Sequence, residues 1–338
     1  MSTILSNNLL VNGLRTEFAD TYGEIRNRQS DSRLAQVMDL SVPATNRQHD
    51  FAYLNAAPHM AYWQRGESIP TDAMTSVQFN VKVYEWARRV PWSKWDRKDD
   101  QTQSLMDMAR MAGESAALLD ERLFFDLLTN TTNILPAIPL APDGAAFFSS
   151  STRFQDTAAS GNLLTGNGIT TTSDIQADYY AAIEQFMDFK DGKSQPLLSP
   201  EIVGGGSVII HAAADTQAME QAFVQLRQGI TVDNTGVRTA GTGGVATSAE
   251  SNVILDSSRN VDLWGTPRLA TGDWYIFLKN APKKPTFILD REGVQEFSSL
   301  EGDNNGDHTR DTAEEYIQWE RRAGAGIALP FGAIKIDN

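Results

Sequence analysis

The 338-residue sequence contains no cysteine. That absence excludes a disulfide framework, thiolate metal sites and a cysteine nucleophile together. Histidine is almost as scarce: His49, His59, His211 and His308 are scattered, and no two sit at the i, i+4 spacing that brings both rings to one metal. A hydrogen-bonded structural or surface role is the simpler reading for each. Positive charge is also in deficit. Lys and Arg number 29 against 43 Asp and Glu, a formal net charge of -14, which disfavours nucleic-acid binding over the whole surface because phosphate recognition draws on clustered cations. No stretch approaches the roughly twenty apolar residues of a membrane span. The chain does not open on a basic region, an apolar run and a small-residue cleavage site, so no signal peptide is expected. What remains is a folded composition, 41% hydrophobic and 21% charged, in a chain long enough for a full core and two domains.

Catalytic motifs are approached and missed. Gly205, Gly206 and Ser207 begin a nucleophile elbow, but the glycine required two positions after the serine is Ile209. Gly192, Lys193 and Ser194 resemble the end of a phosphate loop whose leading glycine is replaced by Met187. No dinucleotide fingerprint follows a strand, and no cofactor is expected. One pattern is nearer: Asp303, Asn305, Asp307 and Glu314 match the first, third, fifth and twelfth positions of a calcium loop. His308 stands where that loop needs glycine, and flanking helices are not evident, so a solvated acidic loop is the stronger of the two readings.

The chain is organised around the stretch from Asp99 to Asn130. Leu105, Met108, Ala112, Ala116, Leu119, Leu123 and Leu127 recur at spacings of three and four, which puts one apolar stripe on a helix. Asp99 and Asp100 supply capping carboxylates, and no proline intervenes before Pro136. At roughly 1.5 Å per residue the helix would be a rod of about 45 Å.

Upstream, residues 1 to about 48 are polar and mixed, too poor in apolar groups for a core of their own, and read as an arm that packs on something else, another subunit included. Leu34 to Val42 predicts a short helix followed by an extended piece. Val77, Phe79, Val81 and Val83 alternate with polar residues as a strand with one apolar face. With Phe51 to Trp63 as a second extended piece and Gly66 and Pro70 as turn signals, they predict a long two-stranded hairpin, marginal alone in water. Its open edges invite pairing with a neighbouring subunit. Arg88, Arg89, Lys94, Arg97 and Lys98 then alternate with Trp86, Trp92 and Trp95, a mixture that suits nucleic acid but fits better a strand end whose tryptophans pack while its cations pair with acidic surfaces.

Downstream of the rod, Thr131 to Thr172 is loop-rich. Ser173 to Phe189 predicts a helix capped by Ser173 or Asp174, with Ile175, Tyr179, Ile183, Phe186 and Met187 inward. Ser207 to His211 reads as a short buried strand, and Ala214 to Arg227 as a helix carrying Met219, Phe223 and Leu226. Strand followed at once by helix indicates a small α/β domain. Thr231 to Asn252, rich in Gly, Thr and Ser, reads as a mobile loop. Val253 to Leu255, Leu263 to Leu269, Trp274 to Leu278, Thr286 to Leu289 and Tyr316 to Ile336 are the remaining extended candidates, around a polar loop from Gly302 to Asp311.

Arm, hairpin, rod, compact α/β unit and closing strands form an order that resembles the major capsid proteins of tailed phages with the Hong Kong 97-type fold, most closely the major head subunits of Mu-like phages. The resemblance is carried by Met60 to Arg65 (MAYWQR) with Gly66, by Lys82, Tyr84 and Glu85 in KVYEWARRV, by Asp99 and Asp100, and by Asp143, Gly144, Phe147 and Phe148 in DGAAFF. It implies an α+β fold in four parts. Residues 1–49 are the N-terminal arm, 50–98 the extended loop, 99–136 with 281–338 the peripheral domain and its spine helix, and 137–280 the axial domain. It further implies a shell protein with no active site, forming hexamers and pentamers around double-stranded DNA that it contacts non-specifically. A separate scaffolding protein, or a processed start, is expected, as are a portal protein, a possible decoration protein, assembly in the bacterial cytoplasm and no membrane. The alternatives are an encapsulin-like nanocompartment, a metal-dependent α/β enzyme whose carboxylates lie in the 303–314 loop, and a secreted calcium-binding surface protein, which the lack of an export signal disfavours.

Overall fold

The computed structural model describes residues 7–30, 33–54, 62, 68, 76–93, 104–151, 153, 161–191, 195–228, 260–281, 283–299 and 314–338. In chain order the elements begin with α1 (Asn7–Ser30), α2 (Arg33–Val37), β1 (Met38–Pro43), β2 (Gln48–Leu54), β3 (Ser76–Lys82), β4 (Tyr84–Ser93), α3 (Ser104–Ala117) and α4 (Leu119–Thr129). There follow β5 (Leu163–Thr165), α5 (Thr172–Asp188), α6 (Pro200–Gly204), β6 (Ser207–Ala212), α7 (Thr216–Gln228), β7 (Val261–Thr266) and β8 (Trp274–Leu278). The chain closes with β9 (Thr286–Ser299), β10 (Glu314–Ile327) and β11 (Ala333–Asp337). They form a four-stranded sheet in the order β1-β9-β10-β4, a five-stranded sheet in the order β5-β11-β8-β6-β7, and the separate pair β2-β3. This is the mixed α+β architecture expected.

The five-stranded sheet is covered on both faces. Alternate residues of a strand point to opposite sides, so Val208, Ile210 and Phe277 join α4 in one core while Ile209, Trp274, Ile276 and Leu278 join α5 and α7 in another. Two buried faces explain why β6 and β8 read as continuous apolar runs, SVIIHA and WYIFL.

The rod divides. α3 ends at Ala117 and α4 begins at Leu119, with Leu118 at φ -74 and ψ -1 between them. The amide of Leu118 still donates to Glu114 O at 3.0 Å, and its carbonyl accepts from Arg122 N at 3.1 Å, so the break is a local irregularity. Leu105, Ala112, Ala116, Leu123 and Leu127 are buried as the stripe predicts, whereas Met108 and Leu119 are only half-buried. The rod ends at Asn130 in the left-handed conformation (φ 53), a frequent helix terminator, six residues before the proline. Asp99 and Asp100 lie outside the described residues.

The larger addition is upstream. Nearly half of the expected arm is the 24-residue helix α1, and it packs on α3 of its own chain. Leu14 (0% exposed) and Phe18 (2%) lie against Leu105, Ala109, Ala112 and Ala116. Gly113 makes the approach possible, since a Cβ there would come within 2.8 Å of the Phe18 carbonyl oxygen. A helix-interior glycine costs about 1 kcal/mol against alanine, offset here by that contact.

Other differences are small. The cap of α5 is Thr171, whose side chain accepts from Asp174 N at 3.2 Å, and Met187 stands 40% exposed. The strand expected from Leu263 to Leu269 is β7, two residues earlier. The short β5 interrupts the loop-rich stretch. The expected loop at 231–252, the strand at 253–255 and the polar loop at 302–311 lie outside the described residues.

Candidate assembly surfaces

The hairpin is rooted by aromatics. β2 and β3 pair antiparallel from Gln48↔Lys82 to Leu54↔Ser76. On the apolar face Phe51 stacks on Phe79 at 5.3 Å between ring centroids and meets Phe287 of β9 edge-on at 5.0 Å. Val81 and Val83 are buried with Phe287 and Leu289 beneath them. The amide of Val83 donates to Arg47 O at 2.8 Å, closing the base where the chain passes from the hairpin into β4. Beside the root, Lys284 donates to Gln36 O at 2.6 Å and Lys279 O at 3.2 Å. Burial lowers its pKa, opposed by the charge of Asp39. Among the described residues the pair β2-β3 belongs to no larger sheet. Tyr62, in the segment joining the two strands, is 91% exposed.

A buried ion network fixes the platform from which the hairpin springs. Asp120 on α4 is fully buried and accepts from Arg26 of α1 and, at 2.6 Å, from Arg321 of β10. Arg321 Nη2 also reaches Asp290 of β9 at 3.2 Å, and Arg26 Nη2 donates to Leu40 O at 3.4 Å. Two cations and two carboxylates thereby join α1, α4, β1, β9 and β10. Burial pulls the pKa of Arg321 down, and the nearby charges of Asp120 and Asp290 outweigh it, so the guanidinium is held charged.

The DGAAFF motif has a structural purpose. Gly144 adopts φ 77 in the turn, and Asp143 accepts from the buried Arg153 at 2.8 and 3.1 Å. Arg153 also donates to Ala146 O at 3.0 Å, to Phe147 O, and to Asn162 Oδ1 at 2.6 Å. Asn162 Nδ2 donates to Phe147 O at 2.9 Å and to Pro330 O and Ala333 O at 3.2 Å each. The loop after the rod is thus tied to the C-terminal strand, and Phe147 and Phe148 pack on Phe277 and Tyr275.

The residues singled out by sequence are not brought to one place. Asp303, Asn305 and Asp307 lie outside the described residues, while Glu314 is the first residue of β10, opposite Ser93. His49 lies in β2 against Phe51, and His211 is buried in β6; His59 and His308 are not among the described residues. Of the basic and aromatic cluster, Trp86 packs and donates to Ala323 O at 2.9 Å, as the packing reading expects, while Arg89 donates to the neutral Gln318 Oε1 at 2.8 Å. Lys94, Trp95, Arg97 and Lys98 lie outside the described residues. Among the described residues no three His, Asp or Glu side chains are grouped to hold a metal, and no helix is long and apolar enough to cross a membrane.

Asp120, Arg321, Arg153 and Asn162 were not singled out. Asp120 carried a signal, since it falls on the apolar stripe four residues after Ala116 and three before Leu123, where an unpaired charge is costly. Asn162 carried none, because Pro330 and Ala333 are distant in sequence, and Arg153 carried none, because its nearby partners are brought to it only by the fold of an irregular loop.

Comparison with known proteins fits this geometry. The fold is similar to a solved structure from Mycobacterium phage Patience, at 14% identity and TM-score 0.53 over 98% of this chain and 90% of that one. It is also similar to the capsid of cyanophage P-SCSP1u, at 11% identity and TM-score 0.52 over 90% and 87% of the two chains. A virus-like particle from Pyrococcus furiosus matches at 9% identity and TM-score 0.50 over 96% and 97%. No curated protein matches the chain. The sequence profile of the family described as phage capsid protein matches residues 76–336, more than half of the chain and every element from β3 to β11. The chain belongs to the phage capsid protein family and is a major capsid shell protein.

Proposed function

We propose that the chain assembles through pentameric and hexameric capsomers into an icosahedral shell enclosing phage double-stranded DNA. The observation that carries this is the hairpin, a two-stranded sheet rooted by Phe51, Phe79 and Phe287 with no further strand beside it among the described residues. An isolated pair of strands is marginal in water, and a neighbouring subunit supplies the missing surface in a closed ring of heterologous contacts. On this reading 50–98 is the loop overlapping the neighbour. Residues 99–136 with 281–338 form the peripheral domain, 137–280 the axial domain with 231–252 towards the capsomer centre, and 1–49 an arm whose helix is docked on the spine.

The finer placement among Mu-like head subunits rests on the short motifs alone. Scaffolding, portal and decoration proteins, and assembly in the host cytoplasm, follow from the same reading. The acidic balance suits a container whose wall does not hold its DNA tightly. The nanocompartment alternative shares the fold, as the Pyrococcus particle does, but the profile that matches is that of phage capsids.

The test is deletion of Ala57–Thr75 in the full chain, co-expressed with its genomic neighbours. The expected product is a folded subunit that no longer closes shells, seen by negative-stain microscopy and light scattering. Normal shells from the deletion refute the role given to the hairpin.

A further inference from the structure

Between the rod and the four-stranded sheet lies a cleft of about 340 Å³. Trp86, Arg88, Leu119, Arg122, Trp319 and Arg321 define it. Its wall follows from strand alternation, since Trp86 and Arg88 project to the same face of β4 and stand opposite Arg321 and Trp319 of β10. Among the described residues three guanidinium groups line the cleft and no carboxylate does. Arg321 is already matched, because the quartet Arg26, Asp120, Asp290 and Arg321 balances in charge. Arg88 and Arg122 are the surplus: among the described residues neither has an acidic partner. Two unmatched cations beside two tryptophans, in a chain with a formal net charge of -14, run against the composition of the molecule.

We propose that this cleft receives the acidic segment 300–313 of a second copy of the chain. The inference rests on the shell reading. The segment, LEGDNNGDHTRDTA, offers Glu301, Asp303, Asp307 and Asp311 against the single cation Arg310, which matches the surplus in sign. On the shell reading the recipient is a neighbouring copy. Ser299 ends β9 opposite Tyr316 of β10, so the two strands lead out of the sheet at the end beyond Trp319, away from Arg321 and Trp86. Each guanidinium presents a fork of donors suited to a carboxylate. The indole walls cover part of the site, and salt screens a partly covered attraction less than one at an open surface. The acidic stretch thus acquires a partner in protein, without calcium.

The test is charge exchange in the full chain, against wild type prepared identically. Arg88→Glu with Arg122→Glu is expected to lower the shell yield at least tenfold while circular dichroism shows a folded subunit, and adding Asp303→Lys with Asp307→Lys is expected to restore shells. Unchanged shells from the double variant overturn the proposal, as does rescue by Glu67→Lys with Asp72→Lys in place of the 303/307 pair. If wild type itself forms no shells, it is the shell reading that fails. Should the glutamate variant not fold, a synthetic peptide of residues 300–313 titrated into wild-type subunit gives the answer. Saturable heat that weakens with salt and is lost in Arg88→Gln with Arg122→Gln supports the proposal. No heat, or heat only with a short DNA duplex, overturns it.

Discussion

The five-stranded sheet and the hairpin β2-β3 are made of similar strands and face opposite situations. In the sheet both surfaces are buried, by α4 on one side and by α5 and α7 on the other, and Ile209, Ile210, Ile276 and Phe277 are 0% exposed. In the hairpin one face rests on Phe287 and the other faces outward, so that Phe51 and Phe79 are only partly buried. The first region supplies its own stability. The second has a fixed base and an unfinished periphery, which is the condition of an element completed by assembly. Substitution should therefore separate folding from shell formation.

The largest effect is expected inside the sheet. Phe277→Ala removes a ring in contact with Phe124 and Phe147 and should cost about 3–5 kcal/mol. Urea unfolding of the purified subunit measures this, and a loss below about 1 kcal/mol would show that the two-faced burial is not what holds the region. A comparable effect is expected at the platform beneath the hairpin. Asp120→Asn leaves Arg26 and Arg321 without their shared carboxylate, and breaking a buried ion pair costs about 3–5 kcal/mol. Its signature should be loosening of α1, read as faster hydrogen exchange at Leu14 and Phe18 than in the five-stranded sheet.

A smaller effect is expected at the hairpin. Phe79→Ala should cost the isolated subunit about 1 kcal/mol, since the ring is only partly covered. Shell yield should nevertheless fall severalfold, because the Phe51–Phe79–Phe287 contact sets the direction in which the hairpin leaves the subunit. A variant unchanged in assembly but strongly destabilised would reverse the comparison.

The same contrast explains what the sequence made legible. β6 and β8 were readable because burial on two faces leaves uninterrupted apolar runs, and β3 because burial on one face leaves strict alternation. The helix α1 was obscured. Its buried positions Leu14 and Phe18, followed by Tyr22, Ile25 and Gln29, fall at helical spacing, but among so many polar residues that composition suggested an arm without showing that it is a helix or what it packs on. The break at Leu118 left no mark, since no glycine or proline stands there. Nor could the partners of Asp120 and Asp143 be read, because Arg321 is brought to Asp120 by tertiary structure and Arg153 reaches Asp143 through a loop with no periodicity. The acidic match to a calcium loop was real as a pattern, but three of its four residues lie where the structure describes nothing.

The smallest expected effect sharpens the contrast through pH. His211 lies in β6 with Nδ1–H donating to Ala212 O at 2.8 Å, while its Nε2 is buried without a hydrogen-bond partner. Burial lowers its pKa, opposed by the Ala212 carbonyl and the charges of Asp215 and Glu220, and reinforced by Arg33. Since the folded pKa lies below the unfolded value of about 6.5, the unfolded chain binds the proton more readily. The contribution is then present above the unfolded pKa and lost as pH falls below it. Replacing the ring by Phe removes the titration but not the volume, so the stability difference between wild type and His211→Phe should shift against wild type between pH 7.5 and 5. A difference independent of pH would show that burial leaves this proton unaffected. The change should register in unfolding of the five-stranded sheet and leave hydrogen exchange in β2 and β3 unaltered, because His211 touches the covered region and not the unfinished one.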